Sequence, residues 1–399
     1  MSSQVALYSA VDDRLTHYDV HIDTATLVRR STIAMSAKVQ CAWACIASRG
    51  AGSSSSLCRS LYVSTSNGGP RVKSDFNHVA AYAIGADGSL TPHGAPRVLT
   101  RRAVHMCLDQ GGQFALNAHN YPASGITVHR IAPDGAVGAE IDQLPPLRYG
   151  IYPHQVMVFP SGRTVLIVDR GNSAHPGKVE DPGALRSFTF HDGMLADRQV
   201  VAPGGGYGFG PRHVVFHPTN PWMYVSDERY NQLHMFRFSG DQVEERAAYV
   251  LDTLQDPQNV RPRQLAGPIH VHPNGRAVYV ANRADASVEV RGQKIFSGGE
   301  NNIAVYAIDQ ESGAPRLVQH ADTHSFHVRT FACDPSGRLL ITASIKAHAV
   351  LEGGRSTAVA AALTVFRIDE QCHLEFVRKV DVETNGTQLQ YWMGIVGLA

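Results

Sequence analysis

One phrase recurs along the 399-residue chain and constrains its fold more than any other feature: an apolar strand, a tight turn, and a second apolar strand. It runs from His154 to Arg170, from Arg212 to Glu228, from Ile269 to Arg283 and from Arg329 to Ile345, with a weaker copy from Val104 to His119. A further second strand, Leu61 to Gly68, has its first strand expected within 38–48, ahead of a Gly/Ser-rich loop. The turn positions Gly112, Gly162, Asn220, Gly275 and Gly337 lie 50 to 62 residues apart. Self-similarity at such a period belongs to repeat architectures.

A second phrase alternates with the first: an alternating strand, a polar turn and a further strand. It begins at Val79, Ile126, Leu185, Leu233, Ile303 and Leu363. Period-two alternation closed by Asp-Gly or Ser-Gly turns marks half-buried antiparallel hairpins. Long amphipathic helical patterns are missing. Each repeat therefore supplies four strands, and four-stranded units repeated about an axis are propeller blades.

Six such units lie between about residue 38 and residue 382. The segments Val5–Val11 and Leu15–Asp23 read as later strands of a seventh. The apolar tail, Gln388 to Leu398, has no partner nearby in sequence and is expected to supply the missing inner strand. The chain thus reads as all-β: one domain over residues 1–399, a seven-bladed β-propeller closed by N- and C-terminal strands sharing one blade. Such closure removes unpaired strand edges. A pair of β-sandwiches is the alternative, but sandwiches need no repeat of this length. Irregular insertions are expected at 49–59, 171–183 and 286–300, where long loops in a compact repeat are often functional.

Bulk properties narrow the function. Lys+Arg number 36 against 35 Asp+Glu, a balance that argues against nucleic-acid or membrane-surface partners. The six cysteines include no Cys-x-x-Cys pair and read as inert thiols of a reducing compartment. Residues Met1 to Arg14 carry no basic stretch before an apolar one, so a cytoplasmic protein is expected.

Hairpin geometry then selects residues. Positions equally far before and after a turn lie at the same end, because the second strand retraces the first. Eight positions before the turn stand His154, Arg212 and Arg329, with His105 and His213 at seven. Seven to nine positions after it stand Asp169, Arg170, Glu228, Asn282, Arg283 and Lys346. All should project toward one rim of the ring; the opposite rim carries no comparable set. Ionisable groups converging in a cleft are how acid–base sites are built. No metal or other cofactor is expected: His270 and His272 share a strand face but lack a carboxylate partner, and the rim carries mainly His and Arg.

These residues carry a family resemblance. Pro153-His154 with Pro160-x-Gly162, Gly210-Pro211-Arg212-His213 through Phe216-His217-Pro218 to Glu228, and Pro273-x-Gly275 with Tyr279-Val280-x-Asn282-Arg283 resemble the seven-bladed lactonase family. That family includes propeller-type 6-phosphogluconolactonases and fungal carboxy-cis,cis-muconate cyclases. The resemblance covers most of the chain and is strongest from 150 to 345. It implies that His154, Arg212, Glu228 and Arg283 are catalytic, the same four that hairpin geometry selects. Pro268 stands where the family often has Glu, and Ser344 or Ile345 where it usually has Asn or Gln.

The leading expectation is a metal-independent lactone hydrolase acting on a small anionic lactone, such as a sugar-acid lactone of the 6-phosphogluconolactone type. Near-neutral His154 would serve as base and then acid. Glu228 would orient it or act as base itself. Arg212 and Arg283 would hold an anionic group and stabilise developing charge. His105, His213, Asp169, Asn282, Arg329 and Lys346 are candidates for substrate binding. A cycloisomerase forming lactones from an unsaturated diacid, and a non-catalytic binding propeller, remain alternatives.

Overall fold

The computed structural model of the protein describes residues 4–49, 56–70, 72–144 and 146–398. Its strands form seven antiparallel blades, each grown outward from one inner strand. In blade order the inner strands are Gln390–Gly397, Lys38–Arg49, Ala103–Leu108, Pro153–Val158, Pro211–Phe216, Leu265–Val271 and Val328–Cys333. Each packs against the next, and the seventh packs against the first. The ring is closed.

Closure follows the expected route. The strand Gln390–Gly397 pairs antiparallel with Val5–Val11, from Val5 opposite Gly397 to Val11 opposite Gln390. The first blade therefore draws its inner strand from one end of the chain and its other three from the opposite end.

Burial falls off with distance from the axis. The second strands Thr164–Asp169 and Trp222–Asp227 are buried at every residue, whereas the outer strands Thr26–Ala34 and Leu90–Val98 contain no fully buried residue. The core consequently lies between blades. Phe159 and Val168 of the fourth blade, for example, pack with Met223 and Phe236 of the fifth. The inner turns carry Gly162, Gly275 and Gly337 at φ of +74°, +75° and +72°, the left-handed region that a side chain at Cβ disfavours.

Two features depart from expectation. The fifth blade's outer strand is Tyr249–Asp252; the expected hairpin return survives only as the two-residue pairing Gln242–Val243. More consequentially, 286–300 is a β-hairpin, Ser287–Val290 with Gln293–Phe296. A second hairpin, His348–Glu352 with Arg355–Val359, rises from the seventh blade, and the two join through a parallel bridge between Ile295 and Ala349. This small eighth sheet, which we call the hood, starts just after Arg283 and Ile345. It therefore stands on the face where the second strands end. The 171–183 insertion leaves the fourth blade on that face too, held by Arg229 on the carbonyls of Asn172 and Asp181 and on the Glu180 carboxylate. Most of the Gly/Ser-rich insertion at 49–59, residues 50–55, lies outside the described residues.

Candidate active site

Every inner strand carries one extra residue near its start. Against its partner strand, Tyr391, Gln40, Val104, His154, Arg212 and Arg329 each have no opposite number, and Gly267 and Pro268 together face Ala281. A β-bulge bends its strand and re-aims a side chain. Here it does so seven times at one level. Tyr391, Gln40, Val104, His154, Arg212, Pro268 and Arg329 all line a cavity of about 390 Å³ on the axis. Further along the inner strands the same cavity is lined by the apolar Trp43, Met157, Val215, Phe331 and Trp392.

The ends of the second strands complete the mouth of this cavity. Asp169, Asp227 and Asn282 stand opposite Pro153, Pro211 and Ala266, and the next residues, Arg170, Glu228 and Arg283, take the other direction by strand alternation. Glu228 is the hub. Arg170 Nη1 donates to its Oε2 at 2.6 Å, Arg212 Nε lies 2.9 Å from Oε1, and Arg283 Nη2 donates to the same Oε1. Behind Glu228, Arg283 Nη1 donates to His327 Nε2 at 3.3 Å, which leaves the ring proton on Nδ1, 3.6 Å from Asp285. Asp285 is held in turn by both arms of Arg263, at 2.6 and 3.0 Å.

Arg329 differs from these. It is half-buried at the mouth and, among the described residues, has neither an ion pair nor a hydrogen bond. Its guanidinium rests 3.9 Å from the centroid of the Tyr391 ring. Arg102 is buried beside Gln40 and Asn120, with no carboxylate among its hydrogen-bond partners. Around the mouth, five guanidiniums (Arg102, Arg170, Arg212, Arg283 and Arg329) thus meet one carboxylate. Burial, and after it the Arg283 charge, disfavour the cationic form of Arg212, with Glu228 compensating in part. An added anion would relieve this imbalance.

Three histidines lie within the same field. The His154 and His213 rings are 5.1 Å apart, and those of His105 and His213 5.7 Å. Burial first, then Arg212, holds His154 well below the usual imidazole value, and the same two causes bring His105 down to about 3. His213 is lowered likewise. All three are neutral near pH 7. His154 Nδ1 is buried without a hydrogen-bond partner. The Glu228 carboxyl behaves oppositely: burial alone would raise it, but Arg170, Arg283 and Arg212 hold it far below the usual carboxylate range.

Several expectations change accordingly. His154, Arg212, His213, His105 and Arg329 share the cavity. Arg283 and Glu228 meet at its rim, but each is committed to the other, so Arg283 is not a free clamp and Glu228 is not a free base. His154 is not poised near neutrality, and no hydrogen bond joins it to Glu228 among the described residues. Asp169 is turned into its blade, where its carboxylate accepts from the Ile151 and Tyr152 amides and from Arg186. Asn282 likewise donates to the Thr253 carbonyl and to Asn302. Strand alternation explains both: they and their neighbours cannot face the axis together. Lys346 is half-buried beyond Ser344 and lines no part of the cavity.

The candidate set omits Tyr391, Gln40 and Arg102, and it places Arg170 at the rim without a role. Tyr391 and Gln40 required bulges that strand periodicity does not announce, and Arg102 lies just ahead of its inner strand. His270 packs against Phe331 and also lines the cavity, whereas His272 bonds the Gly337 carbonyl of the next blade and is structural. Among the described residues, no cluster of His, Cys, Asp and Glu could hold a metal.

A propeller with bulge-presented histidines and arginines on its axis defines a recognisable class. Residues 54–352 match the sequence model described as Lactonase, 7-bladed beta-propeller, and the chain belongs to that family. It is 28% identical over 281 residues to a 6-phosphogluconolactonase of Pectobacterium carotovorum, covering 69% of this chain and 74% of that one. It is 26% identical over 276 residues to a 6-phosphogluconolactonase of Bacillus subtilis, covering 67% and 70%. Among solved structures it resembles the periplasmic gluconolactonase PpgL of Pseudomonas aeruginosa, with a TM-score of 0.69 at 17% identity over the whole of both chains. A protein from Lactobacillus plantarum gives 0.69 at 18% identity, covering 95% of this chain and 97% of that one. At such identities the structural likeness speaks for the fold.

Proposed function

We propose that this protein is a metal-independent hydrolase of a small anionic lactone, of the sugar-acid type that its 6-phosphogluconolactonase-named relatives indicate. The observation that carries the reading is Arg329: an uncompensated guanidinium facing a cavity that also holds His154 with a free ring nitrogen. In this reading Arg329 receives the carboxylate or phosphate of the substrate. The substrate's negative charge offsets the arginine field and makes His154 a better base at the moment it is needed. His154 takes a proton from water as the oxygen adds to the lactone carbonyl, and Arg212 faces the oxyanion that forms. Glu228 and Arg170 fix Arg212 and Arg283 in place. His105 and His213, both neutral, can hydrogen-bond sugar hydroxyls.

No helix among the described residues is long and apolar enough to cross a membrane. A cytoplasmic setting is supported by Cys41 and Cys107, both buried free thiols, with Cys41 pushed up to about 12 by burial and hence inert.

The test is a screen of purified protein against phosphorylated and unphosphorylated aldonolactones, with proton release followed by pH-stat. The reading expects saturable, chelator-insensitive hydrolysis, with anionic lactones preferred. Conversion of an unsaturated diacid to a lactone, with no hydrolysis of any aldonolactone, would contradict it.

A further inference from the structure

Opening a lactone ring requires two proton transfers: one from the attacking water, the other to the departing ring oxygen. A neutral imidazole can manage the first; after doing so it lies on the attacking side. Around the ring of bulges, His154 belongs to the fourth blade and Tyr391 to the first, three blades away. In a seven-fold ring that separation places them across the axis.

Tyr391 has several features that a purely structural tyrosine would lack. It is a bulge residue on the closing strand and lines the cavity. It is 8% exposed, and its hydroxyl donates to no group of the protein, with the Arg102 guanidinium beside it as a donor, whereas Tyr8, Tyr62, Tyr224 and Tyr279 each donate to a backbone carbonyl. What sets it apart is its place: its proton faces the cavity and is free to be given to a molecule bound there. Arg329 on the seventh blade rests against its ring.

We infer that Tyr391 is the general acid that protonates the departing alkoxide, with His154 and Tyr391 acting from opposite sides of a lactone held between them. The inference rests on the hydrolase reading above. His154 takes a proton from water, and the water oxygen bonds to the carbonyl carbon. The ring C–O bond then breaks, its electron pair staying on the ring oxygen, which takes the Tyr391 proton. The new carboxyl group releases its proton to solvent, and a proton passes from the imidazolium to the phenolate through solvent. The sum is lactone plus water giving hydroxy acid.

The electrostatics agree. The charged groups facing the phenol are Arg329, Arg102 on the approach to the third blade, and Arg212 on the fifth; the one nearby carboxylate, Glu228, is bound by its own arginines. Burial would raise the phenol, but the charges of these three guanidiniums, and a hydrogen bond from Arg102, bring it below its usual value of 10. A field of one sign thus weakens the imidazolium and strengthens the phenol as an acid.

The deciding experiment compares Tyr391→Phe with wild type on an aldono-δ-lactone across pH. Phe keeps the ring under Arg329 and removes a hydroxyl that donates to no protein group, so the variant should fold with only a modest shift in its thermal midpoint. The expected result is a turnover loss of about 10²–10³-fold with KM within about threefold. Wild-type kcat should fall as pH rises through the lowered phenol pKa, because an acid must be protonated to act, and this alkaline limb should vanish in the variant. A lactone with a phenolate leaving group, which needs no proton, should lose far less. Near-ultraviolet titration of the folded protein adds a readout independent of activity: one early-ionising tyrosine, missing from Tyr391→Phe. Turnover within a few-fold of wild type, or an unchanged alkaline limb, would overturn the role of Tyr391 while leaving the hydrolase reading intact. Absence of lactone hydrolysis by the wild-type protein would overturn both.

Discussion

At the residue scale, the mouth of the channel separates held arginines from an available one. Glu228 binds three guanidiniums, so its replacement by Gln leaves buried positive charge unpaired, and losing one member of such a network costs about 3–5 kcal/mol. Chemical denaturation of Glu228→Gln at pH 7 should show a loss of that size. The pH dependence follows from the sign of the shift. A carboxyl depressed in the folded state contributes stability above its unfolded value near 4.3, and that contribution fades as pH falls below it toward the folded-state value. The variant's stability should therefore decline less steeply than wild type below about pH 4. Arg329 has no such structural duty. Arg329→Ala should raise KM about 10–100-fold for an anionic lactone with little change in thermal stability and a kcat loss smaller than that of Tyr391→Phe, and Lys should recover only part, since it lacks the planar fork. Steady-state kinetics on both variants check this. His154 must be neutral to accept a proton, so the acid limb of kcat/KM should lie well below 6.5, and His154→Ala should lower kcat by about 10²–10⁴-fold.

At the scale of elements, sequence pattern and structure agree where period two governs. The Val-rich pairs His154–Arg170 and Arg212–Glu228 show both strands and their turn, and symmetry about that turn brought His154, Arg212 and Glu228 to one rim. The same symmetry misassigned Asp169 and Asn282, because it fixes height along the blade but not the face toward which a side chain points. The bulges were not legible: an extra residue leaves the local pattern apolar and alternating, and only pairing reveals it. The hood was half legible, as an overlong segment at 286–300; its second hairpin has weak periodicity and short strands. Phe326 of the propeller packs its ring against Phe296 and His348 of the hood, at 4.4 and 5.5 Å. Replacing Ser287–Phe296 with a short Gly-Ser turn should leave the thermal midpoint within a few degrees while changing KM among lactones of different size. A midpoint collapse would mean that the hood is part of the core instead.

At the scale of the molecule, the ring is held by recurring bonds between blades as well as by apolar packing. Tyr8, Tyr62, Tyr224 and Tyr279, all on second strands, reach the Gly88, Gly135, Gly313 and Cys372 carbonyls in the outer turn of the following blade. On the inner turns, His217 and His272 reach Gly275 and Gly337. The last junction depends on Gln390–Gly397, which puts Met393 and Val396 into the core and Tyr391 into the cavity. Removing residues 388–399 should abolish cooperative unfolding and activity together, because it opens an edge and empties one side of the site. That the same strand closes the fold and lines the site ties stability to function directly.

The claim that the cationic mouth of this ring is a lactonase site is tested most directly by one ratio. It is kcat/KM for 6-phosphogluconolactone over that for unphosphorylated gluconolactone, measured in the presence of a chelator for wild type and Arg329→Ala. Wild type should favour the phosphorylated lactone by about 10-fold or more, and the ratio should collapse toward one in the variant as the anion loses its receptor. A ratio near one in wild type, or one that survives loss of Arg329, would contradict it.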